Sequence, residues 1–143
     1  MILVDVNVLI YAVNDNAPDH RKAKAWLEAT ISGTETVGLA WLVLLAFLRL
    51  TTRPGLFQKP LTVRDAFDLI EGWLQQPSVT VPEPNARQLA TMRDLISPLG
   101  TGGNLTSDAW LAALAIEHGA ELCSTDNDFA RFTRLRWRNP LVG

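Results

Sequence analysis

Residues 1–13 read Met-Ile-Leu-Val-Asp-Val-Asn-Val-Leu-Ile-Tyr-Ala-Val, and the stretch from Ile2 to Asn7 decides the fold. An unbroken apolar run such as Ile2-Leu3-Val4 suits a strand buried on both faces, which is the situation of a strand inside a parallel sheet. A strand wetted on one face would alternate apolar and polar residues instead. Asp5 ends the run, and Asn7 follows it two positions on. In open parallel sheets, functional groups collect beyond the carboxyl ends of the strands, so Asp5 is the first candidate for chemistry.

Working outward, helical and extended patterns alternate. Asp19 is placed to cap a helix from His20 to about Ile31, with Ala23, Trp26 and Leu27 on its apolar stripe. Thr36 to Leu39 reads as a second strand, and an apolar helix follows from Trp41 to Thr51 until Pro54-Gly55 stops it. Thr62-Val63-Arg64-Asp65 resembles a capping box and opens a helix to about Gln75. Val79 to Val81 is a third strand, and Asn85 to Ile96 a further helix. After the loop Pro98 to Gly103, a helix from Asn104 to His118 ends at Gly119, and Glu121 to Ser124 is a fourth strand. Leu135 to Trp137 is a candidate fifth strand. Strands alternating with helices imply an α/β fold whose mostly parallel sheet is covered on both sides. No repeat, low-complexity tract or linker divides the 143 residues, a length suited to one core.

Composition excludes several classes. Cys123 is the lone cysteine, which removes intrachain disulfides and cysteine metal sites, and its apolar neighbours suggest a buried structural thiol. No stretch reaches the roughly 20 unbroken apolar residues of a membrane span. The apolar N-terminus lacks a basic leader, so a cytoplasmic location and no membrane partner are the expectation. The net charge of −2 does not advertise nucleic-acid binding, but it averages over local patches. Arg131, Arg134, Arg136 and Arg138 crowd the last stretch, while Arg49 and Arg53 follow the Ala46 turn of the apolar helix that starts at Trp41.

Three further acids join Asp5. Asp126 follows the fourth strand through Ser124-Thr125, and Asp128 lies two residues on. Asp108 sits near the start of a helix that is apolar almost all round, and shares a face with Leu111, Ala112 and Ala115. A carboxylate on a buried face needs compensation. Helix capping by Asp5, a polar turn at Asp126 or a helix dipole at Asp108 would explain each acid alone. A cation shared by Asp5, Asp108 and Asp126 explains all three. Carboxylates without cysteine select a hard ion such as Mg²⁺ or Mn²⁺. His118 reads as a dipole-compensating residue and His20 as an exposed one, neither a ligand.

The order and separation of three segments carry a resemblance: Val4-Asp5-Val6-Asn7-Val8-Leu9-Ile10-Tyr11, then Ser107-Asp108-Ala109-Trp110-Leu111-Ala112-Ala113-Leu114-Ala115, then Ser124-Thr125-Asp126-Asn127-Asp128-Phe129. Together they resemble the PIN-domain nucleases, in particular the VapC toxins of bacterial toxin–antitoxin pairs. The resemblance spans residues 1–143 as a single PIN-like domain. It implies a three-layer α/β/α sandwich on a mostly parallel sheet of four to five strands. It also implies an Mg²⁺- or Mn²⁺-dependent endoribonuclease that forms a homodimer and has a cognate antitoxin. Carried onto this chain, Asp5, Asp108 and Asp126 fall on the acidic positions, with Asp128 as auxiliary acid and Asn7 and Thr125 as supporting polar residues. Arg49, Arg53 and Arg131 are candidates for binding RNA phosphates.

One departure stands out. The family usually carries a glutamate on the helix after the second strand, three residues before an arginine; here Arg49 is present and Ala46 replaces the acid. The alternative expectation is therefore a PIN fold that binds RNA or an antitoxin without cutting. Phosphatases and receiver domains that phosphorylate a strand-end Asp are disfavoured. The phosphatases need a second Asp where Asn7 stands, and both need a lysine beyond Lys59, the last in the chain.

Overall fold

In the computed structural model, which describes residues 1–142, five short strands form one sheet in the order β3-β2-β1-β4-β5. The strands are β1 (Ile2–Val4), β2 (Val37–Gly38), β3 (Val79–Thr80), β4 (Glu121–Cys123) and β5 (Trp137–Arg138). All four pairings are parallel, so the sheet is wholly rather than mostly parallel. Six helices connect them: α1 (Val6–Val13), α2 (His20–Ile31), α3 (Trp41–Thr52), α4 (Val63–Leu74), α5 (Gln88–Ile96) and α6 (Thr106–Glu117). With right-handed crossovers, α1 to α4 cover one face and α5 and α6 the other, giving the three-layer α/β/α sandwich.

β1 is central, and all three of its residues are buried. Ile2 pairs with Val37 on one side and with Glu121 on the other. Gly38 is required by this tight layer: a Cβ there would collide with Leu3 Cδ2 and lie 3.1 Å from Pro82 Cγ. The chain runs outward from β1 to β3 on one side, then returns to place β4 and β5 on the other. The direction therefore reverses between β1 and β4, and the crevice beyond the carboxyl ends of those two strands is where such a sheet binds ligands.

Several boundaries differ from the sequence reading. Asp19 flanks α2 but its side chain makes no cap, because its backbone (φ −94°, ψ 12°) is not extended. His20 is half-buried, not exposed; its Nδ1 lies 2.9 Å from the Tyr11 carbonyl oxygen and ties α2 to α1. The α5 helix starts at Gln88 rather than Asn85, since the Asn85 side chain accepts from the Arg87 backbone N–H (2.8 Å) in a turn. A 3₁₀ turn over Gly103–Leu105 delays α6 to Thr106. β5 is displaced to Trp137–Arg138, where Trp137 pairs with Leu122. Thr62 does cap α4, accepting from the Asp65 N–H at 3.0 Å. Cys123 is buried, and burial pushes its thiol up to about 12, which makes it inert. Among the described residues, no helix is long and apolar enough to cross a membrane.

Candidate active site

The carboxylates reach one place by three routes. Asp5 is the N-cap of α1: β1 ends at Val4, and the extended backbone of Asp5 (φ −80°, ψ 160°) lets Oδ1 accept from the Val6 N–H at 2.8 Å. Asp126 caps the 3₁₀ turn Asn127–Arg131, accepting from the Asp128 N–H at 2.9 Å, and this turn brings Asp128 back toward it. Asp108 lies in the first turn of α6, whose residues Leu111 to Ala115 are all buried. The local explanations by capping hold for Asp5 and Asp126, yet they do not exclude a shared site, because each side chain keeps lone pairs to spare.

Asp108, Asp126 and Asp128 each offer one carboxylate oxygen, all within 4.8 Å of one another. Asp5 is not a member of this trio, but charge couples it to Asp126 and Asp108. Burial raises the Asp5 carboxyl above its ordinary value; hydrogen bonds from Ser124 and Val6 pull it down, and the charge of Asp126 adds to the rise. Asp108 is pushed up to about 6, first by burial and then by the charges of Asp126, Asp5 and Asp128. The cluster thus holds more negative charge than its surroundings neutralise. A divalent cation would relieve that repulsion, and a set of oxygen donors with no His or Cys fits Mg²⁺ or Mn²⁺.

Ser124 is the residue the sequence reading passed over. It is fully buried at the end of β4. Its hydroxyl donates to Asp5 Oδ2 at 2.7 Å and accepts from the Asp126 backbone N–H at 3.0 Å and from Asn7 Nδ2 at 3.3 Å. Asn7 Oδ1 accepts in turn from the Thr125 N–H at 3.4 Å. Ser124 and Asn7 therefore lock β1 to β4 through side chains and orient both strand-end acids. The available signal was a hydroxyl directly after the apolar pair Leu122-Cys123, where a buried polar atom must find partners. Thr125 contributes its backbone N–H here.

A cavity of about 320 Å³ opens beside Asp5 and Asp108, and α3 forms its far wall through Leu42, Leu45, Ala46 and Arg49. Ala46 therefore lines the cavity shared with Asp5 and Asp108, and apart from Arg49 the wall that would carry a further carboxylate is apolar. Arg49 lines the same cavity, whereas exposed Arg53 lies one turn beyond, at the C-cap of α3. Arg131 pairs with a member of the acidic trio, its Nη2 lying 3.6 Å from Asp128 Oδ1. Arg134 and Arg138 pair with Asp94 and Glu121. His118 Nε2 sits 2.8 Å from the Glu83 carbonyl oxygen, away from the acids.

Residues 2–135 match the PIN domain family. The chain is 44% identical over 140 residues to ribonuclease VapC37 of Mycobacterium tuberculosis, covering 98% of this chain and 97% of that one. It is 42% identical over 141 residues to ribonuclease VapC33 of the same species, covering 99% of each. In fold it is similar to VapBC-1 of nontypeable Haemophilus influenzae, with a TM-score of 0.70 at 17% identity over 99% of this chain and 100% of that one. Sequence along nearly the whole length and the five-stranded parallel sheet agree: the chain belongs to the PIN-domain family, among its VapC ribonucleases.

Proposed function

We propose that this chain is a divalent-metal-dependent endoribonuclease acting as the toxin of a VapBC-type toxin–antitoxin pair, with Asp5, Asp108 and Asp126 as its catalytic acids. The observation that carries it is the convergence of Asp108, Asp126 and Asp128 oxygens within 4.8 Å at the switch point of the sheet. Relatives at 44% and 42% identity named as ribonucleases support RNA as the substrate.

Asp108, Asp126 and Asp128 would hold Mg²⁺ or Mn²⁺ directly, with Asp5 completing the site from the end of β1. Such an ion, when bound, polarises a phosphate oxygen and lowers the pKa of water. The chain's own residues do the positioning. Ser124 and Asn7 fix the rotamers of Asp5 and the Asp126 loop, so the acids do not reorganise when charge develops. Asp108, pushed up to about 6, and Asp5, raised as well, are the carboxyls whose charged forms a bound cation would favour most. Arg49, in the cavity wall, is placed to meet a phosphate oxygen.

A second reading has one observation in its favour: Ala46 removes a carboxylate from the cavity wall, which would suit a PIN fold that binds RNA or an antitoxin without cutting. An RNA-cleavage assay in Mg²⁺ and in excess EDTA, with Asp5→Asn as control, separates the two. Cleavage that EDTA and Asp5→Asn both abolish supports the nuclease; binding without cleavage supports the alternative. The same proposal assigns a small cognate antitoxin, a homodimer, one domain over residues 1–143 and a cytoplasmic location. Co-purification with a neighbouring gene product and sedimentation of the free chain test the first two.

A further inference from the structure

Ala46 empties a position but also exposes what surrounds it. The α3 wall of the cavity is built by Leu42, Leu45, Ala46 and Leu50, with Leu111 contributed by α6 across from it. Arg49 aside, that wall offers a phosphate nothing, since an anion against leucine side chains loses hydration without a partner. A planar, weakly polar ring gains both burial and contact. Leu45 is 60% exposed and Trp41, one helical turn before it on the same face, is 49% exposed. Arg49 continues that stripe one turn further, and it is exposed as well. An indole, an aliphatic side chain and a guanidinium therefore follow one another at four-residue spacing along α3, the last two lining the cavity beside Asp5 and Asp108. Aromatic faces for bases beside cations for the backbone are what an unpaired nucleic-acid strand requires.

We propose that the cavity backed by Ala46, with Trp41 and Leu45 exposed beside it on α3, seats an unpaired nucleobase of the RNA next to the phosphate held at the acids. This rests on RNA being the substrate, and it assigns Ala46 a purpose: a glutamate there would occupy the seat. Trp41 and Ala46 become binding residues, Trp41 by stacking and Ala46 by leaving room.

The test uses 2-aminopurine riboside 5′-monophosphate in Mg²⁺, a fluorescent probe with no phosphodiester to cleave. Saturable binding to the wild-type chain is expected, with adenosine 5′-monophosphate competing at least tenfold better than ribose 5-phosphate. Trp41→Ala and Ala46→Leu should each weaken binding at least tenfold. The competition between intact and base-free nucleotide uses the unaltered protein, so misfolding of a variant does not obscure the result. Equal competition by ribose 5-phosphate, or no saturable binding, overturns the proposal. So does a Trp41→Ala variant that keeps full affinity but loses self-association, because Trp41 then belongs to an interface between copies. Base-dependent binding in a protein that never cuts RNA would leave the seat standing and remove the nuclease reading. Cleavage of RNA without base-dependent binding does the reverse.

Discussion

The Ser124 hydroxyl donates to Asp5 Oδ2 at 2.7 Å across 119 positions of sequence, joining the ends of the two central strands. Removing it leaves Asp5 Oδ2, Asn7 Nδ2 and the Asp126 N–H short of a partner in a buried place. Ser124→Ala should cost about 1–3 kcal/mol of stability, the usual penalty for unsatisfied buried polar groups. It should also raise the Asp5 carboxyl further, since this hydrogen bond is the larger of the two that hold it down. Urea unfolding and an NMR titration of Asp5 check both; an unchanged midpoint would show that the network is incidental.

Stability of the metal-free protein should fall as pH rises through the range in which Asp108 ionises. The folded carboxyl titrates at about 6 against an ordinary 3.8, so between those values the folded state binds the extra proton. The contribution is full below 3.8 and lost above about 6, and Asp5 shifts in the same direction. Mg²⁺ should oppose this loss, so the Mg²⁺-induced gain in Tm should grow across the same window. Asp108→Asn should flatten both trends. Thermal melts from pH 4 to 7, in EDTA and in Mg²⁺, provide the comparison.

Ala46 and Asp108 line one cavity, so a carboxylate introduced at position 46 would face the cluster. Ala46→Glu should tighten Mg²⁺ binding roughly tenfold, about 1.4 kcal/mol, because affinity follows the number of charged ligands. It should lower metal-free stability slightly by adding like charge. Calorimetric Mg²⁺ titration of both proteins decides; equal affinity in a folded variant would mean that Asp128 already completes the site.

Arg49 and Arg131 should behave differently. Arg49 lines the cavity, whereas Arg131 lies 3.6 Å from Asp128. Arg49→Ala should weaken RNA binding and reduce the slope of log affinity against log salt by about 1, as the loss of one phosphate contact does. Arg131→Ala should change the slope less and Mg²⁺ affinity more. Filter binding at several salt concentrations distinguishes them.

Gly38 offers a test of the fold alone. A methyl group there meets Leu3 and Pro82, so Gly38→Ala should destabilise by about 1–3 kcal/mol through overpacking, read as a lower urea midpoint.

Much of this was legible in the chain. Ile2-Leu3-Val4 announced a doubly buried strand, and β1 is buried at all three residues. The apolar helix carrying Asp108 announced its own burial, because a helix with no polar face has nowhere else to go. Strand-end positions for Asp5 and Asp126 followed from local pattern, since burial and capping are read from neighbours within a few residues. Adjacency was not local. That β4 rather than β2 receives the hydroxyl lock of β1, that Ser124 joins residues far apart in sequence, and that Ala46 lines the cavity shared with Asp5 and Asp108 while Arg131 turns to Asp128 were decided by the sheet order and the helix rotations it imposes. Sequence sets which surfaces must be buried. Only the packed sheet decides which buried surfaces meet, because that choice depends on the summed fit of strands and helices that no short segment contains.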